Sequence, residues 1–212
     1  MFGIHDLTLF IISGLLLNIM PGPDSLLVMT RSATQGWRAG CAAAMGIGAG
    51  VFVHIFAAAL GLSAVLATSA TAFTVVKLVG AAYILWMAFG LLKSKKRDDS
   101  PTAAPTVTPL PYRKIFAQGF LTNVLNPKVA IFFLAFVPQF ISADAPNKAL
   151  AFIILGCIFN INGTLWCNAL ALFTAKASER VKLNPTVSLW LNRVTGTLFV
   201  WLGVKLALSK QN

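Results

Sequence analysis

Leu15-Leu16-Leu17-Asn18-Ile19-Met20-Pro21-Gly22-Pro23-Asp24 begins as an apolar helical run, breaks at two prolines around a glycine, and ends on a carboxylate. Proline has no backbone N–H and its ring collides with the preceding turn, so a helix entering at Leu15 cannot pass unbroken through Pro23. The flanks are apolar on both sides, with Phe10-Ile11-Ile12 before the break and Leu26-Leu27-Val28 after it. The whole chain has the same character. Its 212 residues are 57% hydrophobic and 11% charged, with a mean hydropathy of +0.78. A soluble domain carries about 25% charged residues. So few charges cannot cover the surface of a small water-soluble globule, which excludes an ordinary soluble enzyme, a disordered chain and a secreted disulfide scaffold. The net charge of +11 has no polar body around it to make a nucleic-acid-binding domain.

A bilayer core of ~30 Å takes ~20 helical residues at ~1.5 Å each. Apolar stretches of that size run over Ile4–Met29, Ala39–Ala67, Phe73–Leu92, Ile115–Ile141, Ala149–Ala175 and Leu189–Leu208. They are continuous and rich in Leu, Ala and Phe rather than alternating, which points to helices and away from a β-barrel. The expected fold is an all-α polytopic membrane protein with six spans.

Lys and Arg sort by loop. The first connection holds Arg31 and Arg38, the third Lys93, Lys95, Lys96, Arg97, Arg113 and Lys114, and the fifth Lys176, Arg180 and Lys182. The opposite side has only Lys148 and Lys210. The positive-inside rule puts the three basic loops in the cytoplasm and both termini outside. Met1–Asp6 lacks a basic n-region, so no cleavable signal is expected. Cys41, Cys157 and Cys167 lie in apolar runs without a CxxC pair and read as packing residues; no metal site is expected. Pro101, Pro105, Pro109 and Pro111 mark residues 93–114 as a tether between residues 1–92 and 115–212.

Those two parts repeat. Gly14, Asn18 and the break at Pro21 stand over Gly119, Asn123 and the break at Asn126-Pro127 without a gap. Lys77, Gly80 and Tyr83 likewise stand over Arg193, Gly196 and Phe199. A unit of three spans is odd, so the two copies are expected to be inverted relative to each other. Inverted repeats with interrupted helices mark secondary transporters, whose sites lie near the midplane at the repeat interface. Pro21 lies 10 residues before Arg31 and Asn126 lies 12 after Lys114, or about 15 and 18 Å from the inner edge. Broken backbone at that depth is tolerated only against protein or a polar cavity.

Met20-Pro21-Gly22-Pro23-Asp24-Ser25-Leu26, the glycines Gly46, Gly48 and Gly50, and His54 together resemble the LysE/RhtB family of bacterial amino-acid exporters. Gly119-Phe120-Leu121-Thr122-Asn123-Val124-Leu125-Asn126-Pro127-Lys128, then Phe132-Phe133 and Pro138-Gln139-Phe140, fit the same pattern. The resemblance covers nearly the whole chain. It implies a six-span inner-membrane protein that exports amino acids or close derivatives, driven by the proton gradient. Its motifs fall on Pro21, Gly22, Pro23, Asn126, Pro127 and Lys128, and Asp24 stands where many members have Asn. The direction of transport rests on the resemblance alone, since an uptake carrier or a pore for small zwitterions would share the helix breaks.

Individual side chains have competing roles. Asp24 is the only acid deep in a span, where a carboxylate costs at least ~2.5–3.5 kcal/mol. It either caps the helix that restarts after Pro23 or relays protons or meets a substrate amine, and these roles can coexist. Lys128 either pairs with Asp24 or holds a substrate carboxylate. Asn18 and Asn123 can line the site or bond a neighbouring helix. His54 continues the small stripe Ala42, Gly46, Gly50 and is either a packed, hydrogen-bonded residue or a proton carrier. Lys77, Arg193 and Lys205 snorkel from span ends, and the tryptophans anchor or pack. No paired aspartates, HExxH or Ser/His/Asp set supports a membrane enzyme, and no GxxxxGK[ST] supports ATP use. The expected partners are an amino acid, protons and lipid, with no nucleic acid and no cofactor; a homo-oligomer is compatible with all of this.

Overall fold

The computed structural model describes residues 2–62 and 109–177, with single residues and pairs between 71 and 93 and between 193 and 204. Most of the third and sixth spans and of the 93–114 tether therefore lie outside the described residues, as does the match between Lys77–Tyr83 and Arg193–Phe199. The described backbone is helical apart from short connections and one isolated antiparallel bridge, Ile4 to Ile141. In chain order the helices are α1 (Leu7–Ile19), α2 (Pro23–Gln35), α3 (Trp37–Phe56), α4 (Tyr112–Val124), α5 (Pro127–Ile131) and α6 (Lys148–Ala177).

The prolines act where the sequence puts them. α1 ends at Ile19 and α2 restarts with Pro23 in its first turn, where the missing N–H leaves no orphan. The two axes meet at 52°, and α4 and the segment from Pro127 meet at 47°. α2 runs to Gln35, six residues past the apolar stretch that ends at Met29; Arg31 bonds Gln35 one turn on, and Gly36 then turns the chain at φ 81°. After α5 the coil widens into a π turn over Phe132–Phe136 and tightens to 3₁₀ over Val137–Phe140. α3 also ends in a π turn, Ala57–Leu62. Trp37–Gly61 and Lys148–Lys176 are each long and apolar enough to cross a membrane, and each bent pair qualifies when taken as one span.

Small residues set the packing. A Cβ at Gly46 or Gly119 would collide with the facing backbone, at the carbonyls of Phe116 and Ala43 respectively, so α3 and α4 touch main chain to main chain. On its other side α3 meets α6, where Asn160 Nδ2 donates to the Gly48 carbonyl at 3.1 Å. Toward the Ile4 end lies an aromatic core. Phe132 stacks on Phe159 with ring centroids 4.6 Å apart, and Phe10 meets Phe140 edge-on at 5.2 Å. Here Gly3–His5 is laced to the end of the fourth span: His5 N donates to the Phe140 carbonyl and Ser142 N to the Gly3 carbonyl. At the opposite end Arg31 reaches Gln35 and Gln118, and Gln35 holds both backbone groups of Leu110. Leu15, Leu121, Leu125 and Leu165 are exposed, as residues facing lipid should be.

Candidate functional site

The two breaks face each other. In an unbroken helix the Leu17 carbonyl would accept from the N–H of residue 21, but Pro21 has none. The Met20 carbonyl is stranded by the change of direction before α2. Both accept instead from the Lys128 ammonium, at 3.1 and 3.2 Å. Lys128 arrives from α5, whose start is fixed by Asn126: its Oδ1 accepts from Lys128 N at 3.0 Å, a side-chain cap on the restarting helix. Gly22 leaves the room. A Cβ there would stand 3.2 Å from Lys128 Nζ, so the glycine between the prolines is a matter of space, its own φ of −159° being open to any residue.

Asp24 sits in the first turn of α2 but does not cap it, because its carboxylate turns away from its own helix. Oδ2 accepts from Asn123 Nδ2 at 2.9 Å and from Asn126 Nδ2 at 3.1 Å. Lys128 and Asp24 line the same cavity without forming a direct ion pair. His54 Nε2 donates to the Asn123 carbonyl at 3.0 Å while its ring stacks on Phe133 at 6.1 Å. The stripe Gly46, Gly50 brings α4 close enough for that bond, so the small residues and the histidine act together. Ala42 of the same stripe is only half-buried, and Ala43 takes its place against Gly119.

These groups border a cavity of about 20 Å³ lined by Leu17, Asn18, Asp24, Asn123 and Lys128 on the broken spans. Space of that size holds about one water. Asn18 Nδ2, Asp24 Oδ1 and Asn123 Oδ1 are buried there without a hydrogen-bond partner. Three unmet polar atoms border one cavity, and a buried polar atom left unsatisfied costs ~1–3 kcal/mol. The structure thus gathers Asn18, Gly22, Asp24, His54, Asn123, Asn126 and Lys128 into one region. Pro21, Pro23 and Pro127 are exposed and shape the backbone only.

Reading the broken helices alone misses the wall supplied by α6. Asn160, Gly163 and Thr164 line the cavity from this unbroken helix, and a Cβ at Gly163 would stand 3.0 Å from Asn18 Oδ1. The sequence does carry a signal: Asn160-Ile161-Asn162-Gly163-Thr164 is a polar island in an apolar span. Among the described residues no group of three or more His, Cys, Asp or Glu could hold a metal ion.

Residues 15–210 match the LysE type translocator family. The uncharacterized membrane protein YrhP of Bacillus subtilis is 32% identical over 97% of this chain and all of its own length. The leucine efflux protein of Salmonella typhimurium is 27% identical over 97% of this chain and 96% of its own. An uncharacterized membrane protein of Vibrio cholerae is 29% identical over 98% of each chain. No solved structure matches. The chain belongs to the LysE type translocator family, a family of membrane transporters.

Proposed function

We propose that this protein exports amino acids or close derivatives across the bacterial inner membrane, as a secondary transporter working by proton antiport. The observation that carries the reading is the triplet of unpartnered polar atoms around the cavity between the two breaks. Asp24 Oδ1 and Asn123 Oδ1 accept, as an α-ammonium requires. Asn18 Nδ2 donates, and Lys128 uses two of its three ammonium protons on carbonyls, leaving one for a carboxylate. Leu17, Val51 and Phe159 offer apolar walls. The family and the leucine efflux relative support the same class of substrate.

A cavity of about 20 Å³ is too small for an amino acid, so binding requires the half-helices to swing about their breaks. α1 and α2 can pivot between Met20 and Gly22 at little cost in helical hydrogen bonds, because Pro21 and Pro23 donate none. The working unit is two inverted three-span repeats, residues 1–92 and 115–212, joined by the 93–114 tether, with both termini periplasmic. Asp24 is the coupling carboxylate in this scheme, alternating between a proton and the substrate ammonium.

Purified protein in liposomes tests the reading. Vesicles loaded with unlabelled leucine, threonine or lysine in separate batches are diluted into the labelled amino acid, with and without a pH gradient. Saturable counterflow, with efflux accelerated by protons outside, is the expected result. Linear, non-saturable flux indicates a pore, and net uptake along the proton gradient indicates an importer; either outcome refutes the proposal.

A further inference from the structure

We propose that the Lys128 ammonium is a built-in cation filling an alkali-cation site at the break of the first span, so that the protein needs neither Na⁺ nor K⁺. The site is the pair of carbonyls, Leu17 and Met20, at the negative end of α1. Unwound carbonyls and half-helix C-termini are where membrane transporters hold their coupling ions. Here the same chemistry is met by a side chain from the other broken span. Its nitrogen stands 3.1 and 3.2 Å from the two oxygens. The Asp24 carboxylate lines the same cavity without taking the ammonium into an ion pair.

Three features make the occupancy specific to this lysine. Pro21 ensures that the Leu17 carbonyl has no helical partner, so only a cation or donor from outside can satisfy it. Gly22 gives the ammonium its space. The Asn126 cap fixes the first turn of α5 and thus where the Lys128 side chain begins. The second break needs no charge of this kind, because the Asn123 carbonyl takes His54 Nε2 and the Asn126 N–H instead. At the first break Lys128 stands in the place of such neighbours for the Leu17 and Met20 carbonyls.

Removing the ammonium should open that place. Wild type and Lys128→Ala are purified in detergent and melted in NaCl, KCl and choline chloride at equal ionic strength. Wild type should melt at one temperature in all three. Lys128→Ala should melt lower in choline and recover by about 3 °C or more in Na⁺ or K⁺. Whether Na⁺ or K⁺ gives the larger recovery identifies the ion the carbonyls prefer. An alkali-specific rise in wild type overturns the proposal, and so does a folded Lys128→Ala that is indifferent to the salt. Lys128→Gln, which keeps a donor but no charge, replaces the alanine variant if that fails to fold. Wild-type counterflow must also run at full rate in choline buffers, and a requirement for Na⁺ or K⁺ there refutes the inference whatever the variants do. The melting arm needs no transport: if no amino acid is carried but the salt pattern holds, the transporter reading falls and the cation site stands.

Discussion

The two broken spans solve one problem by different chemistry. Each ends a half-helix in apolar surroundings, stranding carbonyls behind the break and N–H groups ahead of it. At the first break the backbone is bare: Gly22 occupies the cap position with no side chain, and the carbonyls of Leu17 and Met20 depend on Lys128 from the other break. At the second, Asn126 caps its own restarting helix, and the stranded Asn123 carbonyl is met by the Asn126 N–H and by His54. The first break is held from outside and the second largely from within. Each borrows from the other, since Asp24 beside the first break accepts from Asn123 and Asn126 of the second. Motion should therefore concentrate at Met20–Gly22.

The sharpest way to break that comparison is Asp24→Ala, which deprives two buried asparagine amides of their shared acceptor. Hydrogen bonds to a charged group are worth ~1.5–3 kcal/mol each, so counterflow should fall about a hundredfold or more. Pro21→Ala comes next. It returns an N–H to the Leu17 carbonyl and competes with Lys128, so the 52° bend should straighten and the protein should melt higher. Transport should drop about tenfold, a stiffer hinge being a slower one at ~1.4 kcal/mol per decade. Asn126→Ala removes a cap worth ~1 kcal/mol while Asp24 keeps Asn123 as a donor, and should cost about fivefold in counterflow with a lower melting temperature. If it outdoes Pro21→Ala in transport, the second break is the moving one. The smallest effect is expected from His54→Gln, which keeps a donor for the Asn123 carbonyl. Both counterflow and pH-driven efflux should stay within about threefold, consistent with loss of ~0.6 kcal/mol in membranes. Loss of the pH drive with intact counterflow would make His54 the proton carrier.

Much of this is legible in the sequence itself. The breaks, the glycine seam and the unusual depth of Asp24 and Lys128 are local facts, written in residue type and spacing. Partner choice is not. By residue type, Asp24 and Lys128 are the obvious ion pair or cap, yet the carboxylate turns to Asn123 and Asn126 while the ammonium turns to carbonyls. Which acceptors an ammonium meets depends on where a second helix restarts, and that is fixed by packing far along the chain. The space that Gly22 leaves for Lys128 is hidden for the same reason. Asn160 and Thr164 are harder still to assign, because no break marks their helix; an unbroken span supplies a wall by carrying polar residues alone.

The pairing of Gly3–His5 with Phe140–Ser142 bears on how the molecule is made. The residues that leave the ribosome early meet partners synthesised more than a hundred positions later, and a Cβ at Gly3 would collide with Ala145 in that joint. Until the second broken span is inserted, the Gly3–His5 end of the first lacks these partners. A nascent chain stopped before Phe140 should therefore hold its opening span loosely enough for a protease on that face to cut near Asp6, and completion of the joint should end that vulnerability.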